Sequence, residues 1–274
     1  MDKYAVLGNP VNHSRSPAIH AMFRDETGQD MEYGTLFCPL GSFRETADSF
    51  RSGGGRGLNI TVPFKEDAFR YADTLTERAK TAGAVNTLRF NDDGTVLGDN
   101  TDGAGFIADL KRLKWPVSGK RVLVMGAGGA ARGILMPLQE ERPLMLFLAN
   151  RTVSRAEALA REFPKIVAGS YEDLASRGSF DLVINATSGS LSGTVPPLPD
   201  DIFAPGARAY DLMYTPSGMT VFLEWALSHG CCQVSDGLGM LVGQARESFR
   251  LWRGVSPDSE RVLKALREML RAEA

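Results

Sequence analysis

Two ionisable residues in the first hundred or so positions could carry acid–base chemistry. Lys65 follows Gly57-Leu58-Asn59-Ile60-Thr61-Val62-Pro63-Phe64, and Asp102 lies in Gly98-Asp99-Asn100-Thr101-Asp102-Gly103. A lysine at a strand end can act as acid, base or fixed cation, because its proton affinity responds to burial and to neighbouring charge. A carboxylate paired with it beside a substrate hydroxyl would orient it. Each residue also has a plainer account. Lysines are usually solvated, and Thr101 or Asp102 could simply cap the helix that follows. Ser14 and Ser16, in His13-Ser14-Arg15-Ser16-Pro17, could donate two hydroxyls to one small carboxylate at a helix N-terminus. On that motif alone the simpler account is that Ser16 is the N-cap and Pro17 the first helical residue. In a strand, Asn59 and Thr61 would share one face, with Leu58, Ile60 and Val62 on the other. Polar residues on one face of an otherwise apolar strand are candidate ligand contacts.

A second chemistry is written in the middle of the chain. Arg121-Val122-Leu123-Val124-Met125 reads as a buried strand and runs into Gly126-Ala127-Gly128-Gly129-Ala130-Ala131. The spacing is that of a dinucleotide-binding turn. The first glycine makes the turn, the second admits a pyrophosphate, and the small residue at position 131 lets helix and strand pack closely. The N–H groups and dipole of the new helix would face the phosphates. About twenty residues on, a cofactor without a 2′-phosphate would call for an acidic residue. The chain instead has Asn150-Arg151-Thr152 and then Arg155. Two guanidiniums attract a 2′-phosphate that a carboxylate would repel, so the pattern selects NADP(H) over NAD. Thr187, in Asn185-Ala186-Thr187-Ser188, follows an apolar strand at the edge where ligands of such sheets bind.

These groups need a scaffold. Before the glycine turn, the pattern predicts strands over 4–8, 32–39, around 57–62, 84–90 and 95–98. The last two are joined as an antiparallel hairpin through Asn91-Asp92-Asp93-Gly94. Helices are expected from Ser16 or Pro17 to about 26, and over 41–50, 76–82 and 104–113. From 121 onward strand and helix alternate. Strands are expected over 121–125, 144–149, 165–168, 180–184 and 208–212, with helices over 129–140, 153–163, near 171–175 and over 218–227. That alternation marks a doubly wound parallel sheet. A long helix follows Asp236-Gly237-Leu238-Gly239-Met240 and carries Gln244. A last helix, 257–270, places Val262, Leu263, Leu266, Met269 and Leu270 on one stripe. The fold class is therefore α/β. A substrate-binding and catalytic domain is expected over 1–101, a Rossmann-type dinucleotide-binding domain over 102–236, and C-terminal helices returning to the first domain over 237–274.

Composition narrows the function classes. The chain has 274 residues and a formal net charge of −2, which gives no reason to expect nucleic acid or an anionic membrane as partner. Its three cysteines, Cys38, Cys231 and Cys232, fit no metal spacing and read as reduced thiols of a cytoplasmic protein. No signal peptide is expected, because the first residues enter a strand directly. No metal is expected either. His13, His20 and His229 lack acidic or cysteine partners at ligand spacing and read as structural.

Taken together, these motifs resemble the shikimate dehydrogenase family over nearly the whole chain. The resemblance rests on Ser14-Arg15-Ser16-Pro17, on Asn59 to Lys65, on Gly83-Ala84-Val85-Asn86-Thr87 and on Gly98 to Gly103. It continues through Gly126 to Ala130, Asn150 to Thr152 and Asp236 to Met240. It implies two domains with the active site in the cleft between them, and NADPH-dependent reduction of 3-dehydroshikimate to shikimate in chorismate and aromatic amino-acid biosynthesis. It implies Lys65 and Asp102 as the catalytic pair, and Ser14 and Ser16 on the substrate carboxylate. Asn59, Thr61, Asn86, Tyr214 and Gln244 would lie around the hydroxyls. On the cofactor side it implies Gly126, Ala127, Gly128, Gly129, Ala130, Asn150, Arg151, Thr152, Arg155, Thr187, Leu212, Gly237 and Glu77. Two departures stand out. Ala186-Thr187-Ser188-Gly189-Ser190 transposes the family's Ser-Ser-Gly order, and the stretch from Tyr214 to Phe222 is one residue longer than is common. Rival expectations are a quinate/shikimate dehydrogenase with relaxed cofactor use, a methylenetetrahydrofolate dehydrogenase, and a sensor that binds shikimate and NADPH without turnover. The methylenetetrahydrofolate rival does not explain the Ser14/Ser16 pair. Either a monomer or a homodimer is compatible with the sequence.

Overall fold

A computed structural model describes residues 1–274, apart from the side chain of Leu191. The chain divides into two compact units. The first comprises Met1–Gly105 and Val242–Leu266, and the second Phe106–Leu241 and Arg267–Ala274. The C-terminal helices are thus shared: Val242–Leu266 groups with the first unit, whereas the final stretch from Arg267 groups with the second.

In the first unit, β1 (Asp2–Gly8), α1 (Ser16–Thr27), β2 (Met31–Phe37), α2 (Phe43–Ser52) and β3 (Gly55–Ile60) follow in order. Next come α3 (Lys65–Tyr71), β4 (Thr74–Leu75), α4 (Glu77–Ala82), β5 (Thr87–Phe90), β6 (Val96–Asp99) and the start of α5 (Asp102–Arg112). The sheet order is β2-β1-β3-β5-β6-β4. β1 pairs parallel with β2 and β3, and β5 and β6 form the expected antiparallel hairpin. Alternation along β3 sends Leu58 and Ile60 into a core with Leu7, Phe43, Phe64, Val85 and Leu88.

Several boundaries differ from the pattern-based expectation. β3 stops at Ile60, so Val62 is largely exposed and does not share the buried face of Leu58 and Ile60. Lys65 opens a helix the pattern did not predict, α3, where the chain restarts after Pro63. Asn86 precedes β5 instead of lying inside it. The N-cap of α1 is Arg15, so Ser16 is the first helical residue and not the cap.

In the second unit β7 (Arg121–Met125), α6 (Gly129–Glu140), β8 (Met145–Ala149), α7 (Val153–Glu162) and β9 (Ile166–Gly169) alternate as expected. β10 (Phe180–Asn185) and β11 (Phe203–Asp211) follow, then α8 (Val221–Ser228) and a short β12 (Gln233–Ser235) that the pattern did not predict. Two 3-10 turns, Glu172–Ser176 and Gly189–Ser192, lie between strands. The sheet order is β12-β11-β10-β7-β8-β9, and every pairing is parallel. Counted from β7, this is the doubly wound order of dinucleotide-binding sheets. Both faces are covered, which is why the strands read as continuous apolar runs. Val122, Val124, Leu146, Leu148, Leu182 and Ile184 enter one core, and Leu123, Met125, Phe147, Ala149 and Val183 the other.

The long helix α9 (Leu238–Arg253) begins in the second unit and continues into the first. The last helix, α10 (Ser259–Ala272), buries Val262, Leu266 and Leu270, while Met269 is exposed and does not belong to its buried stripe.

Candidate active site

The start of α3 and the start of α5 bring Lys65 and Asp102 together. The Lys65 ammonium donates to Asp102 Oδ2 at 2.6 Å, and the pair is partly open to solvent. Asp102 is held from its other side by Asn86 Nδ2, which donates to Oδ1 at 2.9 Å. Its backbone N–H is taken by Asn100 Oδ1 at 3.1 Å, so the Asp102 side chain is not spent on capping. Both carboxylate oxygens therefore have fixed donors, and Lys65 is aimed by a rigid acceptor.

Asn86 is buried and central. Its Oδ1 accepts the Thr101 N–H at 2.8 Å and the Thr87 hydroxyl at 2.9 Å, while Nδ2 reaches Thr101 Oγ1 at 2.9 Å and Gln244 Oε1 at 3.4 Å. Asn59, also buried, donates through Nδ2 to Thr87 Oγ1 at 3.1 Å, Ser248 Oγ at 2.9 Å and the Asn86 carbonyl at 3.2 Å. Its Oδ1 accepts from the Tyr33 hydroxyl at 2.8 Å. Lys65, Asp102, Asn86, Gln244 and Asn59 thus lie in one connected network. Ser14 and Thr61 are positioned through the backbone: Ser14 Oγ accepts the Ser16 N–H at 3.3 Å, and the Thr61 N–H donates to the Leu7 carbonyl at 2.9 Å. The Ser14 hydroxyl keeps its own proton to donate, as carboxylate binding would need.

A further ion pair in this unit joins the buried Asp99 to the partly exposed Arg78. Asp99 accepts from both Arg78 Nε and the Thr76 hydroxyl. Burial pushes the Asp99 carboxyl up, but the hydrogen bonds and charge of Arg78, with Thr76, outweigh it and hold the group below its ordinary range. Glu77, on the same short helix as Arg78, is exposed and pairs locally with Lys80 at 2.6 Å. The histidine of α1 behaves differently. His20 is fully buried, and that burial lowers its pKa to about 3, although Asn59 acts in the opposite direction.

In the second unit the glycine turn has the form a dinucleotide requires. Gly126 has φ +101°, a conformation L side chains rarely adopt, and a Cβ there would lie 3.0 Å from the Ala186 carbonyl oxygen. Cβ atoms at Gly128 and Gly129 would instead face open space. Gly128 caps α6 without a side-chain hydrogen bond, so the first N–H groups of the helix are presented to that space. Ala127 to Ala130 are partly or fully exposed, whereas Ala131 is buried against the sheet. The residues present therefore fit a pyrophosphate.

At the end of β8, Asn150 Nδ2 donates to the Thr152 carbonyl at 2.9 Å and shapes the entry to α7. Arg151 and Arg155 are exposed there, and among the described residues neither is ion-paired. Thr187 is fixed by Asn185 Oδ1, which accepts its hydroxyl at 2.7 Å. Leu212 and Gly237 lie back to back, with a Cβ at Gly237 falling 2.1 Å from the Leu212 carbonyl oxygen, so that position admits only glycine. Tyr214 follows β11 in this second unit.

Several site-building residues escaped the sequence reading. Tyr33, Thr87 and Ser248 complete the Asn59 network, and Ser248 sits one helical turn from Gln244, a spacing that would have flagged it. In the second unit the buried Asp211 accepts from the hydroxyls of Ser190 and Thr220, each at 2.6 Å, and ties together the loops after β10 and β11. A carboxylate at the end of an apolar strand was the available signal.

A doubly wound sheet with a glycine turn, in one chain with a lysine–carboxylate pair, defines a dinucleotide-dependent oxidoreductase. The comparisons carry the assignment to a family. The shikimate dehydrogenase substrate-binding domain model matches residues 6–88, the shikimate/quinate 5-dehydrogenase model residues 109–192, and the shikimate 5′-dehydrogenase C-terminal domain model residues 237–267. The chain is 54% identical to the NADP(+) shikimate dehydrogenase of Cellvibrio japonicus, over 98% of each chain. Among solved structures it resembles an Ael1 enzyme from Pseudomonas putida, with TM-score 0.91 and 45% identity over 97% of this chain and 98% of that one. It also resembles the shikimate 5-dehydrogenase of Thermus thermophilus in complex with NADP(H) and shikimate, with TM-score 0.89 and 37% identity over 98% and 100% of the two chains. The chain belongs to the shikimate dehydrogenase family.

Proposed function

We propose that this chain interconverts 3-dehydroshikimate and shikimate with NADP(H), and that Lys65 and Asp102 carry its proton chemistry. The observation that carries the reading is the 2.6 Å Lys65–Asp102 contact, braced by Asn86, inside the unit that matches the family's substrate-binding domain. NADPH, when bound, supplies the hydride that the carbonyl carbon receives. The Gly126–Ala130 turn would hold its pyrophosphate, and Asn150, Arg151, Thr152 and Arg155 its adenosine phosphate, with Thr187, Leu212 and Gly237 toward the nicotinamide. Glu77 keeps its place as a further cofactor-side candidate.

As negative charge grows on the substrate oxygen, the Lys65 ammonium stabilises it and delivers a proton to it. Asp102 holds the ammonium at that oxygen and accepts a hydrogen bond from the neighbouring hydroxyl region. In the direction of oxidation the same pair receives the hydroxyl proton. Ser14 and Ser16 take the substrate carboxylate, and Asn59, Thr61, Asn86, Tyr214 and Gln244 its hydroxyls. We place the enzyme in the cytoplasm as a monomer or homodimer. The three thiols are free, and among the described residues no helix is long and apolar enough to cross a membrane.

The test is the absorbance change at ~340 nm that accompanies reduction of NADP(+), with shikimate as substrate and with quinate and NAD(+) run alongside. Robust turnover of shikimate with NADP(+) is expected. Equal kcat/KM with NAD(+) would overturn the cofactor assignment, and equal turnover of quinate the substrate assignment. Binding without turnover would establish a sensor.

A further inference from the structure

Tyr33 has no part in the proton chemistry or substrate contacts proposed above, yet it touches Asn59 on the substrate side. Its hydroxyl donates to Asn59 Oδ1 at 2.8 Å, and Ser16 lies near enough to the phenol to oppose the effect of burial on its pKa. Ser16 and His20 stand four residues apart on the buried face of α1, and Tyr33 lies near both. The His20 ring lies flat on the Tyr33 ring, with centroids 4.1 Å apart and an interplanar angle of 7°. Phe23, Phe249 and Trp252 surround the imidazole at 5.8, 6.1 and 5.5 Å. Neither ring nitrogen of His20 makes a hydrogen bond of normal geometry among the described residues, although Asn59 is near enough to oppose the effect of burial. A buried imidazole without a well-formed hydrogen bond is a poor choice for packing alone, since an apolar ring would avoid the desolvation.

The geometry points to Tyr33, backed by His20, as a positioning residue for substrate recognition: its hydroxyl fixes the orientation of the Asn59 amide. The amide is otherwise free to flip, because its two ends are nearly the same shape. With Tyr33 donating to Oδ1 and three acceptors gathered at Nδ2, one orientation is selected, and a lone pair of Oδ1 remains to accept from a substrate hydroxyl. Burial raises the Tyr33 phenol well above its ordinary pKa, so it stays a donor throughout the working range. The inference rests on the reading of Asn59 as a substrate contact.

The experiment compares Tyr33→Phe, Asn59→Ala and the double variant by steady-state kinetics with shikimate and with analogues lacking one ring hydroxyl. Tyr33→Phe keeps the ring and its stack. It should raise KM for shikimate about tenfold with kcat within about threefold and KM for NADP(+) unchanged. Removing the hydroxyl read by Asn59 should then cost less than it does in the wild type, and the double variant should add little to Asn59→Ala. His20→Ala should reproduce the Tyr33→Phe rise, and His20→Phe, which restores a flat ring, should reverse most of it. If Asn59→Ala weakens shikimate while Tyr33→Phe does not, the positioning role is overturned and the substrate reading stands. If Asn59→Ala leaves shikimate unaffected, the reading of Asn59 fails and takes the proposal with it.

Discussion

His20 makes a quantitative test of how the substrate-side unit is held. Burial lowers its pKa to about 3 in the folded chain, whereas an unfolded chain titrates near its ordinary 6.5. The folded value is the lower one, so the unfolded state takes up a proton first as the pH falls. Stability is therefore full above about 6.5 and is lost progressively down to about 3. At pH 5 the unfolded histidine is about 1.5 units below its midpoint, and at ~1.36 kcal/mol per unit the loss is about 2 kcal/mol. For a chain of this size that corresponds to roughly 4–8 °C in melting temperature. The rings around the imidazole, Phe23, Tyr33, Phe249 and Trp252, carry no charge in this range and offer it no compensation. The assay is thermal unfolding of the wild type and His20→Phe at pH 8 and pH 5. Pairing the proteins cancels both the pH-independent cost of the substitution and the titration of every other group. The wild type should lose about 2 kcal/mol more than the variant between the two pH values. Equal losses would show that His20 protonates freely in the folded state, and the argument from its burial would fail.

Lys65→Met should separate activity from stability. The pair it breaks is partly solvated, so unfolding should shift by no more than about 1 kcal/mol, while kcat falls about 10²–10⁴-fold; near-normal kcat with a raised KM would refute the proton role. Arg151→Ala combined with Arg155→Ala should lower kcat/KM for NADPH about 10–100-fold and leave NADH nearly unchanged. Parallel losses with both cofactors would show that the arginines do not read the 2′-phosphate.

How much was legible follows from the reach of each signal along the chain. The glycine turn and the Asn150–Arg155 segment are local, because one is a turn and the other a helix entry, and both were read from neighbouring residues. The βα alternation was legible for the same reason, since each unit closes over about thirty residues. Misplaced boundaries fell where tertiary structure overrides pattern. β3 ends before its alternation does, and α3 opens on a lysine with no cap signal. The substrate-side network was the least legible part. Tyr33 and Asn59 are 26 positions apart, and Asn59 and Ser248 are 189 apart, so no window along the sequence contains both partners.

For Ser16 and Asp102 the sequence left two accounts open, helix capping or ligand chemistry, and the structure dissolves the choice in the same way at both. Each is the first residue of its helix, and each gives its backbone N–H to a side chain two residues upstream: Ser16 to Ser14 Oγ, Asp102 to Asn100 Oδ1. The upstream residue does the work of a cap, satisfying an N–H that the helix cannot. The downstream side chain is thereby released while its backbone stays rigid. The side chain gains a fixed origin at the start of a helix and a head free of capping duty, which Asp102 turns to Lys65 and Asn86. Asn100→Ala should therefore affect Lys65 chemistry through Asp102, by making the carboxylate turn back to serve its own helix. The expected outcome is a drop in kcat that Asn100→Ser, which restores an acceptor, recovers in part; a loss of stability with unchanged kcat would show that Asn100 holds the helix and nothing more.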